Sequence, residues 1–119
     1  MIAQLYEETR LDELLSLGGA ELRDHFLADI QRCQAQLSQS MTLAASDQRK
    51  GLEQSRRVLH ELRGISLTIG AAPLVKLCAE AEAYCDMGSL QDVIDRHADI
   101  LTMCAALSDR ISAHSAGLS

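Results

Sequence analysis

The sequence of 119 residues is poor in aromatic side chains, which make up 3% of it, and it has one proline and no tryptophan. Valine and isoleucine are few and scattered, whereas alanine, leucine, glutamate, glutamine and arginine dominate the long stretches. Aromatic and β-branched residues favour strands, and the dominant residues here favour helices. The composition therefore excludes a sheet protein, and the length predicts a single helical domain.

The chain also lacks an excess of basic charge, since its formal net charge is -6. Because phosphate contacts need a basic face, we expect no binding to nucleic acid. No apolar run approaches the roughly 18 residues that a membrane span requires, so we expect no membrane partner. Residues 1–15 lack the basic segment and the long apolar segment of a signal peptide, and we therefore expect a cytoplasmic protein.

Four cysteines are present, but they lack the spacing of a metal site. The closest pair is seven residues apart, whereas zinc sites normally contain a tight pair with two intervening residues. A disulfide framework is disfavoured without a secretion signal. We predict no metal site and four buried, reduced thiols, at Cys33, Cys78, Cys85 and Cys104.

Apolar residues recur at spacings of three and four in five segments, which predicts one short and four longer helices. These helices are placed at residues 2–17, 20–43, 47–69, 73–87 and from 90 onwards. The predicted boundary signals are glycines that end helices at Gly18-Gly19 and Gly70, N-caps at Ser46 or Asp47 and at Ser89, and a first-turn proline at Pro73.

The short connections between these helices predict antiparallel neighbours. The expected fold is therefore all-α, an up-down antiparallel four-helix bundle with a short additional N-terminal helix. We expect one domain over residues 1–114 and a frayed C-terminal tail over 115–119.

One histidine lies outside the predicted core of the third long segment. The apolar stripe of residues 47–69 passes on either side of His60 and leaves its side chain directed towards solvent. Residues 49–63 contain five basic and two acidic residues, a net charge of +3 in an acidic chain. A neutral imidazole is a nucleophile, and neighbouring arginines stabilise a phosphoryl group that binds to it.

Gly64 follows one turn after His60 and removes a side chain that would block a partner, although glycine in a helix costs about 1 kcal/mol relative to alanine. An ordinary solvated helix face also carries histidines and arginines. Spacing alone leaves both interpretations open.

The stretch 57-RVLHELRGISLTIGAAPL-74 resembles the signature of histidine-containing phosphotransfer (HPt) domains. Arg63 stands where lysine is usual in that family, and Glu80 or Glu82 matches its acidic position on the next helix. The positions in register with the family pattern are His60, Leu62, Gly64, Ser66, Gly70, Ala71 and Leu74.

The resemblance implies a phosphorelay intermediate that accepts a phosphoryl group from a receiver-domain aspartate, or from a kinase, and passes it to another receiver. His60 would be the phosphoacceptor, and Arg63, with Arg57 or Arg56, would stabilise the phosphate. Gly64 would permit close approach. Docking would use exposed apolar side chains, for which Leu67 and, with less support, Leu27 are the candidates.

The implied partners are response-regulator receiver domains, with a hybrid histidine kinase as a further candidate, and the protein is expected to be a monomer. It would need no cofactor, because the receiver would carry the Mg²⁺. A kinase is not expected: the phosphoacceptor box of sensor kinases continues with Thr or Asn and then Pro, and no glycine-rich nucleotide motif is present. Two alternatives stay open: a bundle that binds a receiver or kinase without being phosphorylated, and a structural bundle with a coincidental motif.

Overall fold

A computed structural model describes the backbone of residues 8–117 and the side chains of residues 10–113, and within these bounds it contains helices and no strand. The all-α fold is therefore confirmed. The four helices are α1 (Glu8–Ser46), α2 (Gln48–Ile69), α3 (Ala72–Asp86) and α4 (Leu90–Gly117).

The helices are arranged in a ring in which each packs against two neighbours. The extensive contacts join α1 to α2, α2 to α3, α3 to α4, and α4 back to α1. The connections are one residue at Asp47, two at 70–71 and three at 87–89. Such short connections require sequential helices to run antiparallel. The described residues thus form an up-down bundle of about 47 × 30 × 18 Å.

The first helix is bent where the sequence predicts a break. Gly19 has φ 63° and ψ -156°, a backbone conformation that is open only to glycine. The residues before it form the described part of the predicted short N-terminal helix, while residues 2–7 lie outside the described residues. The part of α1 before the bend packs on the core through the buried Leu11 and Leu15. Its Asp12 Oδ1 atom is 2.7 Å from Nη2 of Arg110 on α4.

Two of the predicted boundary signals fix the ends of α2. The Asp47 carboxylate accepts a hydrogen bond from the Lys50 backbone N–H at 3.1 Å, so Asp47 is the N-cap. At the other end Gly70 has φ 85°, and the N–H groups of Gly70 and Ala71 each donate to the carbonyl of Ser66 at 2.9 Å. A left-handed glycine therefore terminates α2, as predicted.

The third helix also begins as predicted, with Pro73 in its first turn, where no backbone N–H is required. At the start of α4 the Ser89 hydroxyl donates to the Asp92 carboxylate, and the Ser89 carbonyl accepts a hydrogen bond from the Val93 N–H at 3.2 Å. The fourth helix continues through Gly117, beyond the predicted end of the bundle at 114. Residues 118 and 119 lie outside the described residues, and fraying of the tail stays a prediction.

The core is largely aliphatic and contains all four cysteines, whose predicted burial is confirmed. Burial raises the pKa of Cys78 and of Cys104 to about 12, and that of Cys33 and Cys85 to about 11. Thiolates, the reactive form, are therefore scarce near neutral pH. In the part of the chain that the structure describes, no helix is long and apolar enough to cross a membrane.

Replacing Gly51 by alanine should destabilise the protein. The single-residue turn brings α1 so close to α2 that a Cβ atom on Gly51 would lie 2.4 Å from the Cα atom of Ala44. We expect Gly51→Ala to lower the free energy of unfolding by about 1–3 kcal/mol, measured by urea denaturation. Gly64→Ala is the matched control, because nothing lies within 4 Å of its added Cβ. Gly64→Ala should raise the free energy of unfolding by up to about 1 kcal/mol. Equal effects of the two variants would contradict the close approach of α1 to Gly51.

The half-buried His97 should make stability depend on pH. Burial lowers the pKa of its imidazole below the ordinary value, because the charged ring loses solvation. As pH falls through about 6.5, the unfolded chain takes up a proton that the folded ring resists, so the free energy of unfolding decreases. Urea denaturation between about pH 7.5 and pH 5.5 should show this loss. The substitution His97→Gln should make the free energy of unfolding depend less steeply on pH. An unchanged slope in the variant would contradict the assignment.

Candidate functional site

His60 lies on the outer face of α2, where the apolar periodicity places it. Its side chain is 67% exposed, whereas the neighbouring Leu59 and Leu62 are buried. The hydrophobic stripe of α2 thus faces the bundle, and the imidazole lies on the exposed side of α2 next to α3. A partner can reach the ring without any displacement of the core.

The imidazole contacts a carboxylate on α3. Glu82 Oε1 is 3.1 Å from His60 Nδ1, and the Glu82 side chain is only 10% exposed. Glu82 follows Cys78 and precedes Cys85 on the buried face of α3, and this helical spacing directs its carboxylate towards α2. Glu80, the alternative acidic position, instead pairs with Arg96 of α4 at 3.3 Å. The structure therefore identifies Glu82 as the acidic neighbour of His60.

Arg63 completes a cluster of three side chains. Its Nε atom is 2.9 Å from Glu82 Oε2, and its Nη2 atom is 2.9 Å from His60 Nδ1. The contact with Oε2 is an ion pair without the angle of a good hydrogen bond. A carboxylate this deeply buried is costly without a cationic partner, and Arg63 supplies that partner. Within the described part of the chain, His60 Nε2 has no hydrogen-bond partner.

The other two predicted phosphate-binding arginines differ from each other. Arg56 Nε is 2.6 Å from Asp86 Oδ1 on α3. Arg57 is exposed on the opposite side of His60 and has no ion-pair partner among residues 10–113. It lines a groove of about 350 Å³ between α1 and α2, together with Gln36 and Gln54. The acidic residues of α3 thus offset much of the charge of the basic stretch, and Arg57 is its freest cation near His60.

An ion pair also joins α2 to α1 beside His60. Arg32 donates to both carboxylate oxygens of Glu61, with the longer contact at 3.0 Å, and it also lies 3.3 Å from Asp29. These hydrogen bonds lower the pKa of Glu61 and raise that of Arg32. Sequence reasoning missed Arg32 and Asp86. Both residues are visible in the sequence as charged residues of predicted helices. Their partners, Glu61 and Arg56, can be assigned only when the register between the helices is known.

The predicted access and docking residues occupy different environments. Gly64 is exposed, and an added Cβ would meet no atom within 4 Å. Leu67, two turns after His60 on the same face, is 58% exposed. Leu27 of α1 is half-buried and packs against the core, so it offers much less surface to a partner.

The remaining described histidines lie elsewhere. His25 Nε2 is 3.2 Å from Asp29 on the exposed side of α1, and His97 is half-buried in α4. The side chain of His114 lies outside the described residues. Among residues 10–113, no group of three or more histidine, cysteine, aspartate or glutamate side chains is arranged to hold a metal ion.

Comparison with known protein families identifies one family for most of the chain. The model of the Hpt domain family matches residues 21–110, from the part of α1 after its bend into α4, and His60 and Glu82 lie within this range. Searches of curated proteins and of solved structures found no match. The helical bundle is also the architecture of Hpt domains. Because the match spans most of the sequence, the chain belongs to the Hpt domain family, whose members act in histidine phosphotransfer in two-component phosphorelays.

Proposed function

We propose that the protein is a phosphorelay intermediate that carries the phosphoryl group on Nε2 of His60. The supporting observation is an exposed imidazole whose Nδ1 atom contacts a buried carboxylate and whose Nε2 atom has no partner among the described residues. A carboxylate bonded to one ring nitrogen fixes the orientation of a histidine and increases the basicity of the other nitrogen. The donor is a phosphorylated receiver aspartate or a kinase, and the acceptor is a second receiver.

In this arrangement the transfer needs no additional general acid or base from the protein. Nε2 attacks the phosphorus in line, the bond from phosphorus to the aspartyl oxygen breaks, and the aspartate leaves as a carboxylate. The ring keeps its proton on Nδ1 and becomes positively charged when the bond from Nε2 to phosphorus forms. The Glu82 carboxylate, 3.1 Å away, compensates that charge. The reverse sequence returns the group to a receiver, which supplies the Mg²⁺.

The arginines around His60 contribute unequally to phosphate stabilisation in this proposal. Arg57 has no ion-pair partner among the described residues, so it can turn to an incoming anion without breaking a contact. Arg63 is about one-third exposed and already adjoins the ring. Arg56 would have to leave Asp86, which makes it the weakest of the three. Arginine suits this role because its guanidinium binds phosphate oxygens in pairs.

Docking uses the exposed face that runs along α2 from His60. Gly64 leaves space for a partner's backbone, and Leu67 provides an apolar contact beyond it. Leu27 contributes at most its exposed edge. Transient complexes commonly bury such small patches, and we propose that the protein itself is a monomer that leaves this face open.

His60→Gln should abolish phosphorylation, because glutamine has no nucleophilic nitrogen. Incubation with phosphoramidate should add one acid-labile, base-stable phosphoryl group to the wild type, located at His60 by intact mass and peptide mapping. The variant should remain unmodified. His25→Gln is the matched control, since His25 is 68% exposed but pairs with Asp29 on α1, and it should be phosphorylated like the wild type.

The second arm of this experiment uses receiver domains of the source organism, phosphorylated with acetyl phosphate. Wild type should remove the phosphoryl group from at least one receiver, and His60→Gln should bind that receiver without removing it. Binding by both proteins with no transfer to the wild type would overturn the proposal in favour of a binding module. The absence of binding to every receiver would indicate a structural bundle.

Leu67→Ser should weaken binding of the receiver because it removes an exposed apolar contact. We expect the dissociation constant, measured by isothermal titration calorimetry, to rise about tenfold, a loss of about 1.4 kcal/mol. Leu17→Ser is the matched control, since Leu17 is 88% exposed at the bend of α1, outside the proposed docking face. Phosphorylation by phosphoramidate should be unchanged in both variants. If both variants lost affinity equally, or if neither lost any, Leu67 would not be part of the docking surface.

A further inference from the structure

The Nδ1 atom of His60 has two neighbours, and it cannot form hydrogen bonds with both at once. Glu82 Oε1 is 3.1 Å away and Arg63 Nη2 is 2.9 Å away. A carboxylate only accepts hydrogen bonds and a guanidinium only donates them. Nδ1 must therefore carry a proton to bond with Glu82, and it must lack one to bond with Arg63.

We propose that Arg63 is a positioning residue that competes with Glu82 for Nδ1 and thereby sets the tautomer of the His60 ring. This proposal rests on the proposed function, in which Nε2 is the nucleophile. When Arg63 donates to Nδ1, the proton of the neutral ring lies on Nε2, and the lone pair needed for attack is absent. When Nδ1–H donates to Glu82, that lone pair is exposed.

The shape of the arginine side chain explains why both contacts form at one site. The Nε atom of Arg63 is 2.9 Å from Glu82 Oε2, while Nη2 reaches Nδ1. The planar guanidinium holds these two donors at a fixed separation, so the ion pair with Glu82 brings Nη2 to the ring. A lysine has a single nitrogen and cannot offer this fork.

An incoming phosphoryl group shifts the competition. It carries negative charge at the exposed Nε2 side of the ring, and the guanidinium of Arg63, about one-third exposed, can turn towards it. A hydrogen bond from the guanidinium to phosphate joins two ionised groups and is often bidentate, so it is stronger than the bond to a neutral ring nitrogen. Once Nη2 leaves, Glu82 is the remaining partner of Nδ1 and stabilises the Nδ1–H tautomer. Arrival of the anion thereby prepares the nucleophile.

The test is the tautomer ratio of His60, read from the ¹⁵N chemical shifts of its ring nitrogens in the full-length labelled protein. The spectra are recorded without a phosphoryl donor at about pH 8.5, where histidine rings are normally neutral. Wild type should contain a substantial share of the Nε2–H tautomer. Arg63→Lys and Arg63→Met should each raise the ratio of Nδ1–H to Nε2–H at least threefold, since one competing hydrogen bond is lost.

Arg56→Lys is the matched control, because Arg56 pairs with Asp86 and does not contact the ring. It should leave the ratio unchanged. The same ratio in wild type and in both Arg63 variants, with their circular dichroism intact, would overturn the proposal. Because no phosphoryl donor is present, failure of His60 to accept phosphate would refute the proposed function and would not alter this result.

Discussion

The carboxylate of Glu82 is the group on which the arrangement of the site depends. It occupies a core-facing position of α3 and is 10% exposed, where an ionised group is costly unless it is paired. His60 and Arg63 of α2 provide the pairing, at 3.1 and 2.9 Å. Satisfying this one buried charge therefore adds a polar constraint to the apolar packing of α2 against α3, holds the imidazole at the rim of the bundle, and leaves Nε2 as the ring nitrogen that a partner can reach.

The basic stretch of α2 acts largely within the bundle. Arg63 and Arg56 pair with acidic residues of α3, while Arg32 of α1 pairs with Glu61 on the other side of His60. These contacts hold α2 from both sides. The two pairs with α3 reduce the positive potential that the sequence suggests, whereas Arg32 neutralises an acidic residue of the stretch. Among the described residues, Arg57 is the arginine near His60 that has no ion-pair partner, and a docked receiver would meet it there. A face with reduced positive potential suits brief complexes that must separate after the phosphoryl group has moved.

Local signals in the sequence were sufficient to predict the helices and the exposure of His60. Asp47 acts through its side chain on the adjacent turn and Gly70 through its own backbone conformation, and the apolar spacing of α2 determines which side faces solvent. The pairing of Arg56 with Asp86 was not predictable, because it depends on how far α3 is shifted along α2. Because the register between α2 and α3 was unknown, Glu80 and Glu82 were equal candidates for the acidic position. The structure shows that Glu82 contacts His60 and that Glu80 pairs with Arg96.

The most direct measurement compares Glu82→Gln with Glu80→Gln in the rate of His60 phosphorylation by phosphoramidate. Both substitutions remove one negative charge from α3, but only Glu82 contacts the ring. If the carboxylate prepares His60, Glu82→Gln should be slower by about tenfold or more, the value of one charge-assisted hydrogen bond, and Glu80→Gln should match the wild type. Equal rates for all three folded proteins would contradict the claim that Glu82 prepares the phosphoacceptor.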